Sequence, residues 1–125
     1  MKKRYLSYKL YNATRIIFDK NYSNMDLTQE QWKEKLAATS NAVILDVRTA
    51  QEVADGKIEG AINHDIFNPQ AFMQAIDSFD PDASYFVYCR SGNRSGQACA
   101  ILRSKGIENA YNLMGGIMSW DGPLV

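Results

Sequence analysis

Histidine, cysteine and proline are scarce in this 125-residue chain, at one, two and three residues. Two cysteines, Cys89 and Cys99, make no disulfide framework, and no Cys-x-x-Cys or His/Cys cluster offers a zinc site. Neither a metal nor another cofactor is expected. Net charge is missing as well, since 14 Lys and Arg balance 14 Asp and Glu. Overall charge therefore gives no reason to expect nucleic acid or an anionic membrane as a partner. No apolar stretch approaches the roughly 20 residues of a membrane span. Behind Met1-Lys2-Lys3-Arg4 the longest early apolar run is Ile16-Ile17-Phe18, too short for a signal peptide. A cytoplasmic location is expected, where reducing conditions leave a cysteine free for chemistry. Internal repeats and low-complexity tracts are also absent.

What is present suits one modest globular domain, with 46% apolar and 22% charged residues. Residues 1–25 stand apart. Lys2, Lys3, Arg4, Lys9 and Arg15 all precede the first acid, Asp19, and Leu6, Leu10, Ala13 and Ile17 fit one helical face. They read as a basic extension to a domain over 26–125. In that domain Thr28 and Gln31 have capping-box spacing, with Leu27 and Trp32 as a hydrophobic staple, which predicts a helix to about Ala38. Val43-Ile44-Leu45 reads as a strand, and Thr49 with Glu52 opens a short helix that stops near Gly56. Ala61-Ile62 suggests a brief strand. Asn68-Pro69 starts a helix with Pro at its first position. Tyr85 to Tyr88 is a buried strand, a helix follows from about Ser95 to Lys105 closed by Gly106, and Ala110 to Leu113 is the last strand. Strands alternating with helices at this spacing predict an α/β fold, a mainly parallel sheet flanked by helices on both faces. Ligands of such sheets bind at the carboxyl ends of the strands.

One segment at that edge carries distinctive chemistry: Cys89-Arg90-Ser91-Gly92-Asn93-Arg94-Ser95. A free cysteine has a pKa of roughly 8.5 and is mostly thiol at neutral pH. Here the thiol leaves a strand and faces a helix start, whose N–H groups favour an anion. Arg90 and Arg94 add two permanent charges, and Gly92 permits the turn that lets successive N–H groups converge. From Cys89 to Lys105 there are four basic residues and no acidic one. The loop is built for an anion: a thiolate, a bound oxyanion or the outer sulfur of a persulfide.

This loop resembles the active-site loop of single-domain rhodaneses, the thiosulfate sulfurtransferase family. The resemblance runs over roughly residues 26–122. It includes Ile44-Leu45-Asp46-Val47-Arg48, then Glu52, then Gly56-Lys57-Ile58-Glu59-Gly60-Ala61-Ile62-Asn63, and closes with Gly115-Gly116-Ile117-Met118-Ser119-Trp120. Lys57 stands where the family often has His. The resemblance implies a three-layer rhodanese-like domain and a double displacement. Cys89 would take sulfane sulfur from thiosulfate or a persulfide donor and pass it to a thiol, cyanide or a sulfur-relay protein. It implies that Ser91, Gly92, Asn93 and Ser95 help form the substrate cradle, with Arg90 and Arg94 attracting the anionic donor.

Two other readings stay open. Phosphatases and arsenate reductases place five residues between Cys and Arg, whereas four separate Cys89 from Arg94, a loop tight enough for one sulfur but not for a tetrahedral phosphate. A persulfide carrier dedicated to one partner keeps the same cysteine. Elsewhere, Cys99 reads as a core residue, His64 as a surface or edge residue, and Met114 and Met118 as packing residues. Trp120 reads as a packing lid near the loop. Asp46, Arg48 and Glu52 read as a scaffold ion-pair set, with Arg48 and Glu52 facing each other on the short helix.

Overall fold

A computed structural model describes residues 25–125. Its first element, β1 (Asp26–Leu27), leads into α1 (Gln29–Ala38). The Thr28 hydroxyl accepts from the Gln31 N–H, and the Gln31 side chain accepts from the Thr28 N–H, as a capping box requires. The chain continues through β2 (Ala42–Asp46), α2 (Ala50–Ala54), β3 (Ile62–Asn63), α3 (Pro69–Asp77), β4 (Ser84–Tyr88), α4 (Asn93–Ser104) and β5 (Ala110–Leu113). A single 3-10 turn, Ile117–Ser119, follows. Thr49 and Glu52 form the second capping box, at the start of α2. The expected elements are therefore present, and β1 is one that sequence periodicity did not reveal. Two residues carry no period.

The five strands form one parallel sheet in the order β1-β5-β4-β2-β3. Parallel neighbours need crossovers, and the helices supply them on both faces. Alternation along the strands sends successive side chains to opposite layers. Leu45, Val47, Tyr85, Val87 and Cys89 join Phe72 and Ile76 of α3 and Ala98, Cys99 and Leu102 of α4 in one core. Phe86, Tyr88 and Leu113 face the other way, onto Trp32 of α1. Trp32 stands edge-on to Phe86 at 5.7 Å and to Trp120 at 5.6 Å between ring centroids. Trp120 thus packs into the layer around α1.

The basic extension expected over residues 1–25, with its helical face, lies outside the described residues except for Met25. That residue is buried in the same core as Cys89. Among the described residues, no helix is long and apolar enough to cross a membrane.

Candidate active site

The strands β2, β4 and β5 end at one edge, in register: Asp46 pairs with Tyr88, and Val87 with Asn112. Cys89 is the first residue past β4, so its side chain continues the inward face of that strand. It is 1% exposed. The loop then turns at Gly92, whose φ of 108° lies in the region open to glycine. The turn brings the Gly92 N–H to 3.1 Å from Cys89 Sγ. One helical turn on, the buried Ser95 hydroxyl donates to the same sulfur at 3.2 Å.

These donors decide the state of the thiol. Burial pushes the Cys89 pKa up, but hydrogen bonds from the Ser95 hydroxyl and from the N–H groups of Ser95, Gly92 and Ser91 outweigh it. The net shift is downward, toward thiolate. Several N–H and O–H bonds to one sulfur favour its anion even where burial opposes it.

The hydrogen bonds outrank the arginine charges in that shift. Arg94 makes a two-pronged pair with Glu52, at 2.8 and 2.9 Å, and its guanidinium lies 5.1 Å from the centre of the Phe67 ring. Its pKa is raised first by Glu52, with the Cys89 charge a lesser contribution. Glu52 in turn is held at about 2, chiefly by Arg94, against a burial effect that works the other way. Arg90 and Ser91 are exposed, as is Asn93, the first residue of α4. Of the seven loop residues, Gly92 and Ser95 converge on Cys89 through direct hydrogen bonds, and the Ser91 N–H adds to them.

A correction concerns the ion-pair set. Arg48 precedes α2 rather than lying on it, and it pairs with Asp46, at 2.8 Å from NH2 to Oδ2. Asp46 also accepts the Tyr88 hydroxyl at 2.7 Å, and Arg48 donates to the carbonyls of Glu52 and Gly56. This buried network fixes the turn from β2 into α2. Glu52, at the third position of α2, reaches across to Arg94 instead. Sequence spacing within one helix could not reveal a partner 42 residues away.

The turn after β5 completes the loop's support. Gly116 has a φ of 61°, and a Cβ there would lie 2.3 Å from the Arg90 carbonyl oxygen. The N–H of Ile117 donates to the Cys89 carbonyl at 2.9 Å, and that of Met118 to the Arg90 carbonyl at 3.1 Å. The Gly115-Gly116 pair is therefore a clamp on the cysteine backbone. Met114 and Met118 are 49% and 62% exposed, so they are not core packing. They stand beside the loop because the clamp carries them there. His64 is half-buried beside Phe79 and takes no part in the site. Among the described residues, no group of His, Cys, Asp and Glu stands together as a metal site.

Comparison with known proteins adds four findings. The family model for the rhodanese-like domain matches residues 28–122. A sulfurtransferase of Allochromatium vinosum is 36% identical over 95 residues, covering 76% of this chain and 86% of the relative. A thiosulfate sulfurtransferase of Actinobacillus succinogenes is 33% identical over 83 residues, covering 66% and 72%. Among solved structures, a rhodanese-like domain protein of Staphylococcus aureus superposes with a TM-score of 0.68 at 31% identity, over 80% of this chain and 95% of that one.

Proposed function

The chain belongs to the rhodanese-like domain family, and from that premise we propose that it is a sulfurtransferase working through a Cys89 persulfide. The carrying observation is the cradle itself, in which Gly92 N–H and Ser95 Oγ–H both point at one sulfur. In the first half-reaction the Cys89 thiolate attacks the outer sulfur of thiosulfate or a persulfide donor. The donor's S–S bond breaks, its electron pair leaves with sulfite or a thiolate, and Cys89 carries the transferred sulfur. Donors aimed at an anion stabilise that outer sulfur as they do an oxyanion. Arg90, exposed at the loop mouth, attracts the anionic donor, while Arg94 holds the loop through Glu52. In the second half-reaction cyanide, a thiol or a relay protein removes the sulfur and restores the thiolate. Such chemistry needs a reduced thiol, which suits a cytoplasmic setting.

The test is intact mass after incubation with thiosulfate, wild type beside Cys89→Ser. The expected result is one added sulfur in the wild type only, released by cyanide. An adduct that persists in the serine variant, or that sits on Cys99, would refute the assignment. Four residues separate Cys89 from Arg94, one fewer than in phosphatase loops, which favours sulfur over a tetrahedral anion.

A further inference from the structure

The two flanks of the cysteine loop differ in charge. On the β2 side stand Arg94, Glu52 and Phe67. On the β5 side is an open cleft of about 370 Å³, walled by Ser91, Gly92 and Asn93 of the loop and by Asp26, Asn112 and Met114. That volume is in the range of small-ligand sites. Asp26 and Asn112 are register partners on β1 and β5, and the Asn112 amide donates to the Asp26 carboxylate at 2.8 Å and to the Gly92 carbonyl at 3.1 Å. Both partners are acceptors, so the orientation of the amide is set, and its Oδ1 is left buried without a partner. Asn112 is 5% exposed. Among the described residues lining the cleft there is one carboxylate and no cation.

A second feature keeps the cleft open. Gly96 lies inside α4, where glycine is less favourable than alanine. Its backbone is ordinary helix, so no left-handed φ demands glycine. A Cβ there would touch the Asn112 amide nitrogen at 3.4 Å and narrow the cleft.

We propose that this cleft seats the sulfur acceptor, a small thiol that carries an ammonium group. The assignment rests on the sulfur-transfer reading and names the substrate of its second half. An anionic donor is disfavoured beside Asp26, whereas an ammonium is attracted there, and Met114 offers an apolar contact for the methylenes between the two ends. Two of the residues that wall the cleft, Ser91 and Gly92, also turn N–H groups onto Cys89 Sγ. The acceptor thiolate attacks the outer sulfur of the persulfide. A new S–S bond forms to the acceptor, the bond to Sγ breaks, and its electron pair returns to Cys89 as thiolate. The acceptor leaves as a persulfide anion, so charge and electrons balance with no further reactant.

The test loads Cys89 with thiosulfate and follows loss of the added sulfur to cysteamine, 2-mercaptoethanol and 3-mercaptopropionate by intact mass. Wild type that fails to load refutes the sulfur-transfer reading itself. In Asp26→Asn, which keeps the hydrogen bond to Asn112 and removes the charge, the rate ratio of cysteamine to 3-mercaptopropionate should fall about threefold, the size of one screened charge pair. Comparing ratios between variants cancels the intrinsic reactivities of the thiols. An unchanged ratio overturns the proposal while leaving the first half-reaction intact. An equal fall for all three thiols also overturns it, since Asp26 would then only hold the loop. In Gly96→Ala, transfer to cysteamine should slow about threefold or more relative to transfer to cyanide, and an unchanged relative rate contradicts the cleft.

Discussion

Cys89 and Cys99 are both removed from solvent, at 1% and 0% exposure, and belong to the same core. Their thiols nonetheless move in opposite directions. Cys99 is pushed up to about 12 by burial among apolar side chains, whereas Cys89 is drawn down because donors face it. Burial alone therefore makes an inert thiol, and what makes a thiolate is convergence of N–H and O–H groups on the sulfur. The difference arises at one helix. Ser95 and Cys99 are one turn apart on the buried face of α4. The first, beside the helix start, meets the Cys89 sulfur; the second meets only packing.

The comparison breaks most completely if its two members are exchanged by mutation. Cys89→Ser should abolish sulfur transfer, measured as thiocyanate formed from thiosulfate and cyanide. Cys99→Ala should leave transfer in place and cost roughly 1 kcal/mol of stability in urea unfolding, the common scale for a small core change. Equal losses in both variants would mean the two thiols act together. Gly92→Ala comes next. A φ of 108° is a backbone conformation that side-chain-bearing residues rarely adopt, so an alanine there strains the loop and shifts its N–H away from the sulfur. Loss of one such donor costs about a hundredfold in rate.

Smaller effects sharpen the contrast rather than break it. Ser95→Ala removes one hydrogen bond to an anion, worth about 1.5 kcal/mol, or roughly tenfold in loading at neutral pH. The pH midpoint of iodoacetamide alkylation should move upward in that variant. A midpoint that stays in place would show the hydroxyl to be a bystander. The least effect is expected at Glu52. Its folded pKa of about 2 lies below its ordinary 4.5, so the stabilisation is complete above 4.5 and fades as pH falls toward 2. Glu52 is partly solvated, so screening holds the benefit to about 1 kcal/mol. Glu52→Gln should therefore be less stable than wild type at pH 7, with the gap closing as pH falls toward 2 in urea titrations.

The parts that were legible in the sequence are those written in local spacing. Capping boxes at Thr28/Gln31 and Thr49/Glu52 formed as the spacing required, since their donors and acceptors are three residues apart. Apolar runs marked the strands, and the Cys89–Ser95 segment marked the loop. The Glu52–Arg94 pair was not legible, because its partners come from different crossovers of the sheet. Nor was the exposure of Met114 and Met118, which depends on Gly116 lying against the Arg90 carbonyl.

Taken alone, the sequence determined the alternation of strands and helices, the place of Cys89 at a strand end and the family resemblance of four spaced blocks. All of these rest on residues close along the chain. Only the tertiary structure decided that Arg94 is bound up in an ion pair with Glu52, and that Asp26 and Asn112 line a cleft beside the loop. Each of those outcomes depends on groups far apart in sequence that the parallel sheet brings to one edge, where burial makes every unmatched charge costly and every well-aimed hydrogen bond count.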